Sequence, residues 1–459
     1  MSNPVCFEQR VMGMMTTEDI VAATGGEVVC SGPESFMGVS IDSRKIREGE
    51  LFIALKGERF DGHDFLSAAL DKGSGAIVNL RESKRVKGRT IICVKDTIKA
   101  LQGLAHYLRL KRNIPVVAVT GSNGKTTTKE VAASILNTHY KVLKNAGNLN
   151  NHIGLPLSLT NIEDGDEIAV LEMGASAPGE IKGLCDIAAP DYGVLTNISP
   201  AHLKGFGDME TVRRTKLELL GAVGVAIVNA DDLFMMEGVQ NSAFKGTIIR
   251  YGINNPADVQ ASGIRLHEKG SSFVLHVQGG KAVEVNPKIS GMFNIYNLLA
   301  AASVGCLFNI DVQQMKTAID SFAGVPMRLE FRALNGVTVI SDMYNANPAS
   351  MEEALKELVR IRKARAIAVL GDMLELGVYA EEAHRRLGRL MSGLVVDIFI
   401  AVGPLMGLAA SEFKGRAYKL GSPSEAGKLL RDIGEKGDTI LIKGSRGMGM
   451  EKVLEEYAV

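Results

Sequence analysis

The residues whose types and spacing come closest to a definite chemistry lie in "VTGSNGKTTTKE", Val119 to Glu130. The stretch follows the apolar run "IPVVAV", so a strand ends in a glycine turn and a helix starts at Gly124-Lys125-Thr126. A helix start of this kind directs unpaired N–H groups and a partial positive charge at an anion. The loop Gly121, Ser122, Asn123, Gly124, Lys125, Thr126 and Thr127 therefore suits the phosphates of a nucleotide. Lys125 supplies a mobile cation for the terminal phosphates, and the Thr126 hydroxyl suits Mg²⁺. The general motif G-x-x-x-x-G-K-[ST] begins with a glycine where this sequence has Val119.

Other candidates stand at the ends of apolar runs. In open parallel sheets ligands bind at the carboxyl ends of strands, so such residues should converge on the crevice of the phosphate loop. "EIAVLEMGAS" delivers Glu172, either a carboxylate on the Mg²⁺ side of a nucleotide or a structural acid. "YGVLTNISPAHLKGFG" delivers His202, and "NADD" delivers Asp231 and Asp232, which is also good turn chemistry. "NAGNLNNHIGLPLSL" offers Asn148 and Asn151. In "GMFNIYNLLAAA", Asn294 and Asn297 are spaced to face one ligand, since amides read a purine edge or a ribose without adding charge. Capping of the helix by Asn294 is the alternative. "MRLE" contributes Arg328, a phosphate clamp or a surface ion pair, and "SDMYNANPASMEEAL" contributes Asp342 at a strand end.

Three blocks must position these residues. Residues 1–113 open with "TTEDIVAATGG", a capped helix closed by Gly25 and Gly26. Strands are predicted at "MGVSID", "ELFIAL" and "GAIVNL", with a helix between the last two. Residues 114–325 alternate strands ("VVAVTG", "EIAVLEMG", "YGVLTNIS", "VAIVNADD") with helices, which predicts a parallel sheet covered on both faces. The tail of that block switches to period-two alternation with glycine turns and predicts an antiparallel appendage. Residues 326–459 carry "GVTVISD", "AIAVLGDM", "VDIFIAVG" and "DTILIKGS" between helical segments, a second doubly wound unit. "AGVPM", Ala323 to Met327, reads as the joint before it.

With 459 residues the chain has ample length for several cores. Its 52 basic and 52 acidic residues cancel, so no global field draws it to nucleic acid or an anionic membrane. The basic run "LRESKRVKGR" has no interleaved aromatic and reads as a solvated loop. Five cysteines lie far apart, which argues against a zinc knuckle or disulfide framework and fits a reducing compartment. No secretory signal is apparent, and "LVVDIFIAVGPLMGLAA", with Asp397, Gly403 and Pro404, is too short to span a bilayer. It reads as a buried strand and a following loop, in a cytoplasmic protein without stable membrane insertion.

In sequence order these pieces resemble the Mur ligases, ATP-dependent amide-bond-forming enzymes of peptidoglycan synthesis. The family pattern has a T-G-x-x-G-K-T loop, a strand-end Glu, a loop His, a lysine soon after, an N-x-x-N helix start and an R-x-E element. Here Thr120 to Thr126, Glu172, His202, Lys216, Asn294 with Asn297, and Arg328 with Glu330 match it. The shortened phosphate loop is usual for that family.

The resemblance implies three α/β domains: a small UDP-sugar-binding domain, a central ATPase with a parallel sheet, and a C-terminal Rossmann-like domain. It implies ATP and Mg²⁺ as cofactors, with Thr126, Glu172, His202 and Lys216 (as a carbamate) on the metal. Lys125, Glu172, His202, Lys216 and Arg328 are then the catalytic set, and Asn294, Asn297, Arg328 and Asp342 join the loop in binding ATP. "DMYNANPASM" and "LGDMLELG" look like the member that joins D-alanyl-D-alanine to UDP-N-acetylmuramoyl-tripeptide, a monomer acting without nucleic acid. Substrate candidates are Ser43, Arg44 and the loop 56–63 at the nucleotide-sugar end, with Asn148, Asn151, Tyr344, Asn345 and Asn347. The alternatives are the sister ligase adding the third amino acid, a folylpolyglutamate synthetase-like ligase, and a nucleotide switch.

Overall fold

The computed structural model describes residues 15–57, 60–79 and 86–458. Cys6, part of the loop 56–63 and most of the basic run 80–89 therefore lie outside the described residues. The chain divides into two compact units. One comprises residues up to Ala118 with 140–173 and 182–192, the other 119–139, 174–181 and 193–459.

The first unit begins where expected. The helix Thr17–Thr24 has Thr16 and Asp19 in a reciprocal capping box and ends at Gly25, whose φ of 63° a glycine adopts without strain. A five-stranded sheet follows, in the order Glu27–Cys30, Thr90–Val94, Gly75–Asn79, Glu50–Ile53, Gly38–Ser40. The predicted strands pair parallel with one another, and Gly75–Asn79 also pairs parallel with Thr90–Val94. The strands Glu27–Cys30 and Thr90–Val94, which pair antiparallel, were not signalled. "EVVC" is too short to show a period. The helix Thr97–Arg112 starts on the Asp96 cap and places Arg109 in the interior, where its guanidinium donates to the Ala188 carbonyl and to Asp191. Also in this unit, the strand Ile168–Glu172 pairs parallel with Val142–Lys144.

The strand Val116–Thr120 carries the chain from the first unit to the second. There the strand Val225–Asn229 pairs parallel with Thr247–Gly252. Next come Val259–His267, Gly270–Val277 and Lys281–Val285, the last three forming an antiparallel meander. The expected appendage is thus present, but it is hydrogen-bonded onto the sheet through Tyr251 and Val259, so the purely parallel sheet expected of the central block is corrected to a mixed one. The reason lies in Thr247–Gly252, whose single apolar run "TIIRYG" reads equally as loop.

The C-terminal sheet has six strands in the order Glu330–Leu334, Val337–Asp342, Thr439–Lys443, Ala366–Gly371, Ile398–Val402, Arg416–Leu420. Only the first is antiparallel. After Ile398–Val402 the chain forms the helix Pro404–Glu412 where a loop was expected. Gly403, at φ 104°, breaks the strand and Pro404 starts the helix at its first position, where a missing N–H costs nothing. Among the described residues no helix is long and apolar enough to cross a membrane. The joint 323–327 continues into backbone of unusual conformation: Gly324, Met327 and Leu329 all have positive φ.

Candidate active site

In the second unit the phosphate loop is fixed from one side by the segment after the strand Tyr192–Leu195. Ser122 N–H donates to the Asn197 carbonyl at 2.8 Å, and Asn123 N–H donates to the Asn197 side chain. The Ser122 hydroxyl donates to the Ser199 carbonyl, and Thr196 donates to the Asn123 carbonyl at 2.6 Å. Gly121 sits at φ 144°, and a Cβ there would meet the Thr196 hydroxyl at 2.0 Å. Gly124, at φ 81°, is equally closed, since a Cβ would come 2.2 Å from Asn297 Oδ1. Both glycines are required by close approach as well as by backbone angle.

Thr196, Asn197 and Ser199 were missed as loop partners. The signal was a polar strand end, "LTNIS", which was read only for His202 farther on.

The helix Lys125–Leu136 opens on this loop with Thr126 and Thr127 buried. Lys125 Nζ donates to the Gly121 and Ser122 carbonyls at 2.8 and 3.0 Å, folded over the loop it would leave when a phosphate takes its charge. Arg328 Nη2 donates to Thr126 Oγ1 at 2.9 Å, and its guanidinium stacks 4.1 Å above the Tyr344 ring. Asn347 caps the helix Pro348–Ile361, and its amide donates to Asn123 Oδ1 at 2.7 Å. The C-terminal block therefore reaches the phosphate loop through an arginine and through a helix cap.

Asn294 and Asn297 are both buried and bonded to each other, Nδ2 of Asn297 donating to Oδ1 of Asn294 at 3.1 Å. Asn294 also donates to the Ser290 carbonyl, while Asn297 Oδ1 accepts from Thr128. Asp342 accepts from Lys443 Nζ at 2.6 Å and from Leu329 N–H. Lys443 also donates to the Asn345 carbonyl, so this buried lysine, unmarked within "ILIKGS", fixes the turn that carries Tyr344 and Asn345. Asn345 itself is exposed. Asp231 gathers the backbone N–H groups of Ile253, Asn254 and Asn255 together with the Tyr296 hydroxyl. Burial opposes its charge, yet these donors hold it below the ordinary carboxylate value. Asp232 caps the helix Leu233–Gln240, and burial raises its pKa. Both are structural turn residues.

Lys216 has only 2% of its surface exposed. Its ammonium lies 3.3 Å from the Ala175 carbonyl and 5.4 Å from the centre of the Phe206 ring. Burial, with the charge of Lys125 adding to it, lowers its pKa to about 7. His202 starts the short helix Leu203–Phe206 in a left-handed conformation, φ 53°. Its Nδ1 is 2.6 Å from Glu375 Oε2. The imidazole beside it lowers the Glu375 pKa against the opposing effect of burial.

In the first unit, Glu172 is buried, with Oε1 accepting from Asn150 at 2.7 Å and Oε2 without a hydrogen-bond partner. Asn145 clasps its backbone on both sides, accepting from Glu172 N–H and donating to its carbonyl. Asn145 and Asn150 are thus the amides of "NAGNLNN" that meet this acid. Asn151 caps the following turn through Ile153 and Gly154 N–H, and Asn148 is exposed. Arg44 is exposed and paired with Asp42, which it lowers to about 2, beside half-buried Ser43. His63 donates from Nδ1 to Asp61 and accepts at Nε2 from Asn79 N–H, anchoring the end of the loop 56–63.

A buried carboxylate oxygen without a partner, at Glu172, suits a hard cation. Among the described residues no three His, Cys, Asp or Glu side chains gather as a metal site. Taken one by one, the Glu172 carboxylate in the first unit and the buried Thr126 hydroxyl in the second are oxygen donors of the kind Mg²⁺ takes, the rest of its shell being water and phosphate.

Residues 35–108 match the Mur ligase family catalytic domain, 119–305 the Mur ligase middle domain, and 327–446 the Mur ligase, glutamate ligase domain. Over 430 residues the chain is 36% identical to UDP-N-acetylmuramoyl-tripeptide–D-alanyl-D-alanine ligase of Bacillus subtilis, covering 91% of this chain and 92% of that protein. The structure is similar to MurF from Acinetobacter baumannii, with a TM-score of 0.90, 31% identity and coverage of 97% and 99% of the two chains. It is also similar to MurF from Thermotoga maritima in complex with ADP, with a TM-score of 0.81, 32% identity and coverage of 92% and 97%.

Proposed function

The chain belongs to the Mur ligase family, and from that premise we propose that it joins D-alanyl-D-alanine to UDP-N-acetylmuramoyl-tripeptide. The coarser statement is plain: it is an ATP-dependent ligase acting in peptidoglycan precursor synthesis, built from three α/β domains with mixed sheets. The observation that carries the finer reading is the seat of "DMYNANPASM". That segment looks like the corresponding stretch of the member that adds D-alanyl-D-alanine, and its Asn347 is hydrogen-bonded to Asn123 of the phosphate loop. We place the domains at 1–113, 114–325 and 326–459, binding the nucleotide sugar, ATP and the incoming dipeptide.

The N–H groups at the helix start, from Gly124 to Thr127, receive the ATP phosphates, and Lys125 turns from its two carbonyls to the terminal phosphate. The substrate carboxylate takes the γ-phosphoryl group, the bond to the β-phosphate oxygen breaks, and ADP leaves with that electron pair. Acceptor and phosphate are both anionic, so Lys125 and Arg328 must offset their repulsion. The dipeptide amine then attacks the acyl carbon, inorganic phosphate departs, and the amine proton is lost. Arg328 and Asn347, reaching the loop from the C-terminal block, orient that attack, and orientation alone is worth up to about 7–11 kcal/mol.

As the resemblance implies, Thr126, His202 and Lys216 would hold Mg²⁺ and Glu172 would offer it a carboxylate, and the ion would supply charge neutralisation of the moving phosphoryl group. As an ammonium Lys216 would repel a cation, whereas as a carbamate formed with CO₂ it offers oxygens. Its enclosure against Ala175 and Phe206, away from water, supports that modification. Asn297 of the Asn294–Asn297 pair packs against Gly124, and the pair faces the nucleotide.

The test is ATP turnover with UDP-N-acetylmuramoyl-tripeptide and a panel of D-alanyl-D-alanine, diaminopimelate and lysine. Phosphate release should require both the muramyl peptide and D-alanyl-D-alanine. Turnover with a free amino acid on the dipeptide substrate would assign the sister reaction instead, and turnover with neither would leave a switch.

A further inference from the structure

Glu375 has no part in the steps above, yet the fold holds it with unusual care. It follows the strand Ala366–Gly371 in a turn pinned at each successive residue. The Asp372 carboxylate accepts from Met406 N–H at 2.6 Å at the start of the helix Pro404–Glu412. Met373 N–H donates to His384 Nε2 at 3.0 Å, and Leu374 N–H donates to the Ser445 hydroxyl at 2.8 Å. Glu375 then adopts φ 67°, and its carbonyl accepts from Lys204 N–H at 2.9 Å. Gly377 passes so close that a Cβ would meet Lys204 Cα at 3.1 Å.

The result of this bracing is one placement: Glu375 Oε2 at 2.6 Å from His202 Nδ1. His202 is itself left-handed, so two non-glycine residues in a sparsely populated region face each other. Such backbone costs of order 1–3 kcal/mol per residue and persists where the surroundings impose it. The two atoms are in ion-pair contact, and Nδ1 is otherwise enclosed with no other partner. A carboxylate at one ring nitrogen favours the tautomer protonated there and leaves the other nitrogen as a lone pair.

We propose that Glu375 is a positioning residue for His202. It holds the ring with Nδ1–H toward the turn 372–377 and Nε2 free for the reaction centre, so that the histidine is competent only while that turn is seated on the helix Leu203–Phe206. The inference rests on the reading of His202 as a site residue and adds to it a link from the C-terminal block. Arg328 and Asn347 bring that block to the phosphates, whereas Glu375 brings it to the histidine.

The experiment uses the full-length protein with ¹⁵N-labelled histidine, eight residues in all, the His202 signals being assigned by loss in His202→Asn. Without metal or nucleotide, His202 should show the Nδ1–H tautomer in the wild type and a shift toward Nε2–H in Glu375→Ala. Glu375→Gln keeps an acceptor and should retain the wild-type tautomer. In assays, Glu375→Ala should lower kcat about 10–100-fold and raise the Mg²⁺ concentration for half-maximal rate, with KM for ATP little changed and partial recovery in Glu375→Gln. His202→Ala/Glu375→Ala should be no slower than His202→Ala alone.

An unchanged tautomer in Glu375→Ala overturns the proposal, and so does a loss that adds fully to that of His202→Ala. Normal turnover in His202→Ala removes the site reading itself and with it the role of Glu375. Failure of the earlier reading and failure of this one are therefore distinct.

Discussion

The phosphate loop and the Lys216–His202 region are built on opposite plans within the same unit. The loop is contiguous: seven residues, two of them glycines that no side chain could replace, present backbone N–H groups whose direction follows from the helix start. The other region is assembled from afar. Lys216 lies against the Ala175 carbonyl and the Phe206 ring, and His202 meets a carboxylate from residue 375. The loop offers charge that water already tolerates, since Lys125 is half-buried and rests on carbonyls. The second region keeps an amine where its charge is disfavoured. A positive lysine is needed in one place and a lysine ready to lose its proton in the other. Their environments set that difference.

The sharpest way to break the comparison is to remove the fixed charge. Lys125→Ala should lower D-alanyl-D-alanine-dependent phosphate release by about 10²–10³-fold or more, the loss typical of one preorganised donor facing developing negative charge. Its melting transition should stay close to that of the wild type, because the side chain is half-buried and rests on carbonyls of its own loop. Near-normal turnover in a well-folded variant would remove Lys125 from the mechanism.

Lys216→Ala tests the other plan. It should lose nearly all activity, but short carboxylic acids that refill the cavity with an anion should restore part of it. No small molecule should do so for Lys125→Ala. Lys216→Arg keeps a positive charge, cannot form a carbamate and should stay inactive. Ordinary turnover in the alanine variant, unaffected by added carboxylate, would end the carbamate reading.

The same contrast explains what could be read in the sequence. The loop, the strand ends at Glu172 and Asp342 and the cap at Asn347 are local signals, each visible within a few residues. The partners of those groups were not. Lys443 reaches Asp342 from the neighbouring strand a hundred residues on, and Asn145 and Asn150 reach Glu172 from a preceding segment. Glu375 meets His202 through a turn of the last domain. Such pairings depend on strand order, and strand order leaves no periodic trace in the chain. The strand Thr247–Gly252 was missed for the related reason that its partner defines it more than its composition does.

A smaller effect follows from burial of the Lys216 amine. Its pKa falls from the free value to about 7 in the folded chain. Between those two values the unfolded state holds the proton and the folded state does not, so stability rises with pH across that window, and below it the full penalty applies. In CO₂-free buffer, Lys216→Met should therefore melt higher than the wild type near pH 6, with the gap shrinking as pH rises toward about 10. A gap independent of pH would mean that the ammonium is solvated in the folded protein.

The smallest expected change isolates a single hydrogen bond between the C-terminal block and the loop. Asn347 does two things: its Oδ1 accepts from Ser350 N–H as the helix cap, and its Nδ2 donates to Asn123 Oδ1. Alanine would remove both, and loss of the cap alone costs about 1 kcal/mol, which would confound the result. Serine is an equally good cap but cannot donate to Asn123 from that distance along the side chain. Asn347→Ser should thus keep the melting temperature of the wild type while losing the contact to the loop. A net hydrogen bond of about 0.5–1.5 kcal/mol corresponds to a decrease in kcat of roughly 2–12-fold. KM for the nucleotide should move less than kcat if the bond matters when the last domain is seated over ATP rather than when ATP first binds. A variant with unchanged kcat would make the cap purely structural. The loop would then be positioned by its own segment and by Thr196, Asn197 and Ser199, with Arg328 still bonded to Thr126 from the C-terminal block.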